Sequence, residues 1–201
     1  MTEAMREGKI ESFGRMRPGQ ALLAAGYIGL HGTAVLASER RELLEQRFAP
    51  QFVRRCQSVY AREGILAAGG VPASELGGIL EPWGAASWCL DGEGGILAAL
   101  WDYFEAFGLG FELELRRIPV LQETVEVCEA LEINPYRLWS GGCALMTADD
   151  GAGLLYEMEK RDIPAVLLGR TTREAGRRLH NGEIHTWLDR PGPDELRKVF
   201  P

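Results

Sequence analysis

The chain alternates short unbroken apolar runs with stretches in which apolar residues return every three or four positions, the two periods that mark strands and helices. "ALLAAGYIGL", residues 21–30, is apolar almost throughout and reads as a buried strand. It leads into "GLHGTAVLASERRELLEQRF", where glycines open a helical segment whose apolar positions are Ala34, Leu36, Ala37, Leu43 and Leu44. Phe48–Ala49–Pro50 breaks that segment, and "PQFVRRCQSVYARE" starts a new helix with proline in its first turn. Residues 64–84, rich in glycine and alanine and interrupted by Pro72 and Pro82, hold one short helix beginning near Ala73 or Ser74. "AASWCL" then reads as a short strand. "GILAALWDYFEAFG" is a helix, with Ile96, Leu97, Leu100, Trp101 and Phe104 on one stripe and Gly108 as its stop.

The second half continues the alternation. "GFELELRRIPV" places Phe111, Leu113 and Leu115 on one face and Glu112, Glu114 and Arg116 on the other, the pattern of a half-exposed strand. "LQETVEVCEALE" predicts an amphipathic helix with Leu121, Val125, Cys128 and Leu131 inward. "GGCALMTA" is a strand, Asp149 or Asp150 caps the helix "GAGLLYEMEKRD", and "IPAVLLGRTT" is a further strand. In "RRLHNGEIHTWL" the Asn181–Gly182 pair predicts a two-residue hairpin turn that sets His180 against Glu183 and Arg178 against His185. "PGPDELRKVF" closes the chain in a helical turn. Strands and helices interleave but end on a hairpin, so the expected fold is α+β, a mixed sheet with helices packed on it. Residues 1–17 read as an N-terminal arm and 18–201 as one domain.

Composition narrows the classes. With 201 residues and 46% hydrophobic content, the chain is long enough for a sizeable core. The net charge of −7 and the lack of a basic block argue against nucleic acid as a partner. No apolar run approaches the 18 or so residues of a membrane span, and the charged start "MTEAMREGKIESFGRMRPGQ" lacks the apolar core of a secretory signal. Cys56, Cys89, Cys128 and Cys143 are widely spaced, without metal-site or redox spacing, and are expected to be buried thiols; Cys89 stands out for its place beside a glycine turn. The expected location is the cytoplasm.

Three turns carry candidate chemistry. In "CLDGEGGILAAL" the residues Asp91, Gly92, Glu93, Gly94 and Gly95 precede a helix, where backbone N–H groups and the helix dipole favour an anion. Asp91 and Glu93 would repel a bare phosphate; they suit a metal-bridged phosphate or simply cap the helix, and the stretch is neither a P-loop nor a Gly-x-Gly-x-x-Gly motif. In "GLHGTAV" Gly29 and Gly32 permit close approach, Thr33 offers a hydroxyl and His31 titrates near neutrality; the plain alternative is a strand-to-helix turn that His31 helps to close. In "NPYRLWSGGC" Ser140, Gly141 and Gly142 open a strand, with Tyr136 and Trp139 lining either a cleft or the core. His180 and His185, as diagonal neighbours on the hairpin, could hold a metal with Glu183, but exposed hairpin histidines are ordinarily solvated, and no metal is expected.

These stretches, in order with "RPGQALLAAGYIGLHGTAVLA", "TVEVCEALEINPYRLWSGGCALM", "IPAVLLGRTT" and a final "DEL", resemble the C-terminal domain of the aminoimidazole ribonucleotide (AIR) synthase superfamily over roughly residues 17–200. That group includes hydrogenase maturation proteins of the carbamoyl-dehydrating type, selenophosphate synthetase and thiamine-monophosphate kinase. The resemblance implies a mixed sheet covered by helices, fused in the family behind an N-terminal domain that binds ATP through magnesium and forms much of a dimer. That half has no counterpart among these residues, so no cofactor is expected on this chain alone, and ATP with magnesium only if a separate ATP-binding subunit supplies them.

The family's D-x-T-x-G-G stretch aligns its glycines with Gly94 and Gly95. Its threonine place then falls on Gly92, its aspartate place on Leu90 and the preceding histidine place on Cys89, with Asp91 one residue out of register. The reactive C-terminal cysteine of the hydrogenase maturation proteins has no equivalent in "RKVFP". The expectation is therefore a stand-alone, non-catalytic domain that forms a homodimer and binds a partner protein or a small phosphorylated ligand. The alternative is one half of a split ATP-dependent enzyme whose ATP-binding domain is a separate chain.

Overall fold

The computed structural model of the chain describes residues 10–11, 16–65, 73–84, 87–90 and 93–200. Among these, the strands form one eight-stranded mixed sheet. In chain order they are β1 (Ile10–Glu11), β2 (Ala21–Ala25), β3 (Ser87–Leu90), β4 (Gly110–Glu114), β5 (Ala144–Ala148), β6 (Ala165–Thr172), β7 (Arg177–Asn181) and β8 (Ile184–Trp187). Their spatial order is β1-β3-β5-β2-β6-β4-β7-β8. Every pairing is antiparallel except β4 with β7. β2 lies centrally between β5 and β6, so both of its faces are covered, which is why its sequence is a continuous apolar run rather than an alternation. Ile10–Glu11, within the segment read as an arm, pairs with β3 at one edge of the sheet.

The helices are α1 (Leu30–Glu39), α2 (Arg41–Glu45), α3 (Pro50–Gln57), α4 (Val59–Glu63), α5 (Ala73–Leu80), α6 (Gly95–Phe107), α7 (Gln122–Ala130), α8 (Gly151–Glu159) and α9 (Leu196–Val199). One apolar cluster lies under α6, where Ile96, Leu100, Tyr103 and Phe104 meet Leu22, Ala24, Phe111, Leu113 and Leu168 of the sheet. The opposite face carries α5 and α8 on Leu23, Ala25, Ala144, Met146 and Ala148. A third cluster joins α1, α2, α3, α7 and the C-terminal residues Leu196, Val199 and Phe200. Each large buried side chain contributes about 1.5–3 kcal/mol of transfer free energy. The helix α6 stops at Gly108 in the left-handed conformation, as its sequence implies. Asp150, not Asp149, caps α8, accepting from the Gly153 amide at 2.9 Å; Asp149 instead receives Arg17 and Gln20.

Two readings of the pattern need correction. The α7 face that turns inward is Glu123, Thr124, Val127 and Cys128, while Val125 is 36% exposed. Polar partners decide this rotation: Thr124 meets the Thr33 hydroxyl at 3.0 Å and Glu123 meets Arg55 at 2.5 Å. The hairpin turn is Gly182–Glu183, one residue later than Asn181–Gly182, and Asn181 pairs with Ile184. Gly182 has φ +65° and Glu183 is not among the positive-φ residues, the signature of a turn with glycine first. The one-residue shift makes His180 and His185 direct cross-strand partners, not diagonal ones.

Cys56 and Cys128 are buried thiols, and burial pushes them up to about 11 and about 12 respectively, far from thiolate reactivity. Among the described residues no helix is long and apolar enough to cross a membrane.

Candidate functional site

The Gly29 turn is built by the loop segment it faces, residues 138–140. Gly29, at φ +70°, is the residue before α1, and its amide donates to the Ser140 hydroxyl at 2.8 Å. A side chain at Gly29 would meet the Thr124 methyl at 2.7 Å, and one at Gly32 would run into Leu138. The Gly32 amide donates to the Trp139 carbonyl at 2.9 Å. Thr33 is fully buried, and its hydroxyl donates to the Gly29 carbonyl at 2.7 Å. Ser140 is fully buried too, and its hydroxyl donates to the Leu138 carbonyl at 2.8 Å. The polar atoms picked out in this turn are therefore engaged with one another, holding α1 against the segment 138–140.

His31 is half-buried and stacked on Trp139, with ring centres 3.5 Å apart and 17° between planes; Tyr60 lies 4.5 Å away on a tilted plane. Burial lowers its pKa, so His31 is held toward the neutral form. Gly141 leaves room for this ring, since a side chain there would come within 3.1 Å of His31 Nδ1. His31 and Gly141 thus belong with Gly29, Gly32, Thr33 and Ser140 in one contiguous cluster.

The second turn is Glu93–Gly94–Gly95; Asp91 and Gly92 lie outside the described residues, as do the side chains of Cys89 and Leu90. Gly94, at φ +88°, precedes α6, so its amide occupies the anion-favouring end of the helix. The anion there is the chain's own: Gly94 N–H donates to Asp194 Oδ2 at 2.6 Å, and Leu196 N–H donates to Asp194 Oδ1 at 2.9 Å. Asp194 is only 3% exposed. Burial raises its carboxyl above the usual aspartate range, because the two amide bonds do not fully offset lost solvation, and Glu93 and Glu195 add repulsion.

Glu93 does not cap α6. Its Oε1 accepts from Arg197 Nε at 3.0 Å and from a second guanidinium nitrogen at 2.6 Å. Glu195, 1% exposed, receives Lys198 at 2.5 Å and the Asn134 amide at 3.3 Å, and its own amide donates to the Arg137 carbonyl. A side chain at Gly95 would lie 2.5 Å from the Tyr136 carbonyl, so α6 starts flush against the same segment. The C-terminal segment is thereby fastened over the glycine turn.

The two turns meet on one piece of chain, residues 134–140, which contacts Gly32 and Gly29 on one side and Gly95 and Glu195 on the other. Sequence reasoning grouped the three turns but missed Thr124, Leu138 and Asp194. The first two have ordinary helix and loop signals. Asp194 sits 100 residues from its partner Gly94, and only the flanking prolines of "PGPDEL" hint at a fixed conformation there.

Comparison with known proteins gives a likeness of fold. No protein-family model matches the sequence, and no curated protein does. Among solved structures, E. coli HypE, described as a hydrogenase maturation protein, superposes with a TM-score of 0.64 at 19% identity over 92% of this chain. A HypE–HypF complex gives 0.63 at 17% identity over 88%, and thiamine-monophosphate kinase from Stenotrophomonas maltophilia K279a gives 0.59 at 18% identity over 85%. The chain spans about half the length of these structures: 53%, 54% and 53% of each in turn. The mixed sheet with packed helices is the architecture expected from the sequence, and it is the one these structures share.

Proposed function

We propose that this domain is one half of a partnered ATP-dependent assembly of the AIR synthase and hydrogenase maturation type, with the nucleotide site supplied by a separate chain. The observation that carries the reading is the lopsided coverage: 92% of this chain superposes on HypE, yet only 53% of HypE is accounted for. Among the matched structures are HypE in complex with ATP and AaThiL complexed with AMPPCP and TMP. The internal bonding of the glycine turns supports the same division of labour. Phosphoryl transfer needs positioned metal ions and cationic groups. Here the Gly29 amide is held by Ser140 and the Gly94 amide by Asp194.

A second reading has its own observation. A carboxylate fixed at the start of α6, with Glu93 tied to Arg197, suits a binding module whose phosphate chemistry has been lost, acting as a homodimer or on another protein. ATP hydrolysis and complex formation separate the two. The assay uses the purified chain alone, the nucleotide-binding half encoded in the same genome alone, and the two mixed. The partnered reading expects a complex on size-exclusion chromatography and turnover above the sum of the parts. A complex without added turnover favours the binding module. Absence of a complex at saturating concentration overturns the partnered reading, and turnover by the chain alone overturns both.

A further inference from the structure

The hairpin register brings together two groups that neither functional reading uses. His180 of β7 and His185 of β8 face each other directly, with Nδ1 to Nδ1 at 2.6 Å, ring centres 4.6 Å apart and planes at 76°. They stand on the outward face of the sheet, opposite to Leu179, which is buried in the core. His185 is exposed and His180 half-buried. Two neutral imidazoles cannot both aim lone pairs at each other at this distance, so one Nδ1 must carry a proton that the other accepts. A metal ion at the same place would take both Nδ1 lone pairs once the donor ring moves its proton to Nε2, where the accepting ring already carries its own.

We propose that His180 and His185 form a chelating site for a divalent transition ion of square-planar preference, Cu²⁺ first and Ni²⁺ after it. The spacing selects the geometry. With metal–nitrogen bonds of about 2.0–2.1 Å, two ligands at a right angle lie about 2.9 Å apart, and two tetrahedral ligands about 3.3 Å apart. The observed pair needs to open by only a few tenths of an ångström for the first arrangement and by twice that for the second. Two strands joined by a two-residue turn hold the rings in place, so little ordering is needed on binding.

Among the described residues no group of three or more His, Cys, Asp or Glu side chains is placed to hold a metal, so water completes the coordination plane. The charges around the pair are mixed. Glu114 stands beside His180 in the parallel register, its carboxylate accepting from the Gly182 amide at 3.4 Å, and Arg116 is turned to Asn181 at 2.7 Å. His180, but not His185, also lines an open groove of about 620 Å³ with Glu112, Glu114 and Arg117, while His185 is open to solvent, so water can reach the pair.

The test is titration of the full chain with Cu²⁺ alone, read by electron paramagnetic resonance and by calorimetry. The expected result is one site whose spectrum shows two equivalent nitrogens. H180Q and H185Q each convert a two-point site to a one-point site and weaken it by about 10²-fold, whereas H31Q leaves it unchanged. Circular dichroism establishes that each variant is folded. If one is not, ring signals of His180 and His185 in the unaltered chain provide the second readout, broadening first as Cu²⁺ is added. Equal Cu²⁺ affinity in the unaltered chain, H180Q and H185Q overturns the proposal. So does broadening that begins at other residues.

Discussion

Asp194→Ala tests whether an internal carboxylate holds the C-terminal segment on α6. The carboxylate accepts two backbone N–H bonds, from Gly94 at 2.6 Å and Leu196 at 2.9 Å, at a site 3% exposed. A hydrogen bond to a charged group contributes about 1.5–3 kcal/mol, and an orphaned buried N–H costs about 1–3 kcal/mol. Desolvation takes back part of the first figure, as the raised carboxyl of Asp194 records. In the docked variant the Leu196 amide is only part-buried and can reach water, which leaves the buried Gly94 amide as the main loss. A working value of about 1.4 kcal/mol follows, roughly tenfold in the population of the released tail.

Arg197 and Lys198 offer a trypsin site with exposed side chains, and cleavage there tracks the released population when opening and closing are fast. Release of the C-terminal peptide, followed by mass spectrometry at low trypsin, should therefore quicken roughly tenfold in the variant. Asp194→Asn should behave similarly, because an amide has one acceptor oxygen and would present its NH₂ to the second N–H donor. Because the folded carboxyl lies above its unfolded value near 3.9, docking by the native segment should weaken as pH rises through the carboxylate range, and Asp194→Asn should lose that slope. Cleavage within twofold of the unaltered chain, with Gly94 amide protection retained in Asp194→Ala, refutes the reasoning.

Gly32→Ala drives a methyl into the buried Leu138 side chain and should lower unfolding free energy by about 1–3 kcal/mol in urea denaturation. Ser140→Ala strands the Gly29 amide at the start of α1 and should cost about 1–3 kcal/mol by the same measurement, with hydrogen exchange at Gly29 accelerated. Burial opposes ionisation of Glu123, but its own backbone bond and Arg55 and Arg62 outweigh it and hold the carboxyl below the usual range. Its contribution is present above the ordinary value of about 4.3 and lost as pH falls below it, so Glu123→Gln should flatten the acid limb of a stability–pH profile.

What could be read in advance follows from how local each signal is. The strand at Ala21–Ala25 and the helix Gly95–Phe107 are fixed by neighbours within a turn or two, and the apolar pattern finds both. The rotation of α7 depends on Thr33 and Arg55, which are distant in sequence, so a purely apolar reading turned Val125 inward. The hairpin offered two turn signals that share Gly182, and the choice rested on whether glycine takes the first or second place. The glycine turns were recognisable as helix starts. What fills them was not, because Ser140 lies 111 residues from Gly29 and Asp194 lies 100 residues from Gly94.

That filling constrains any chemistry at these turns. An anion approaching the Gly94 amide competes with a carboxylate on the same chain. If docking of the tail is worth about 1.4–3 kcal/mol, the open form is about 10% to under 1% of molecules, and the ligand's apparent affinity falls by the same factor. A ligand could recover that loss only through groups that engage it once the tail has moved; Arg197, bound to Glu93, is a cation beside the turn in the docked state. The same segment, 134–140, also carries the contacts to Gly29 and Gly32. A partner that gripped residues 193–199 would thus loosen the start of α6 directly and bear on the start of α1 through that shared segment. Such a grip would, on this geometry, open the glycine turn in the same event.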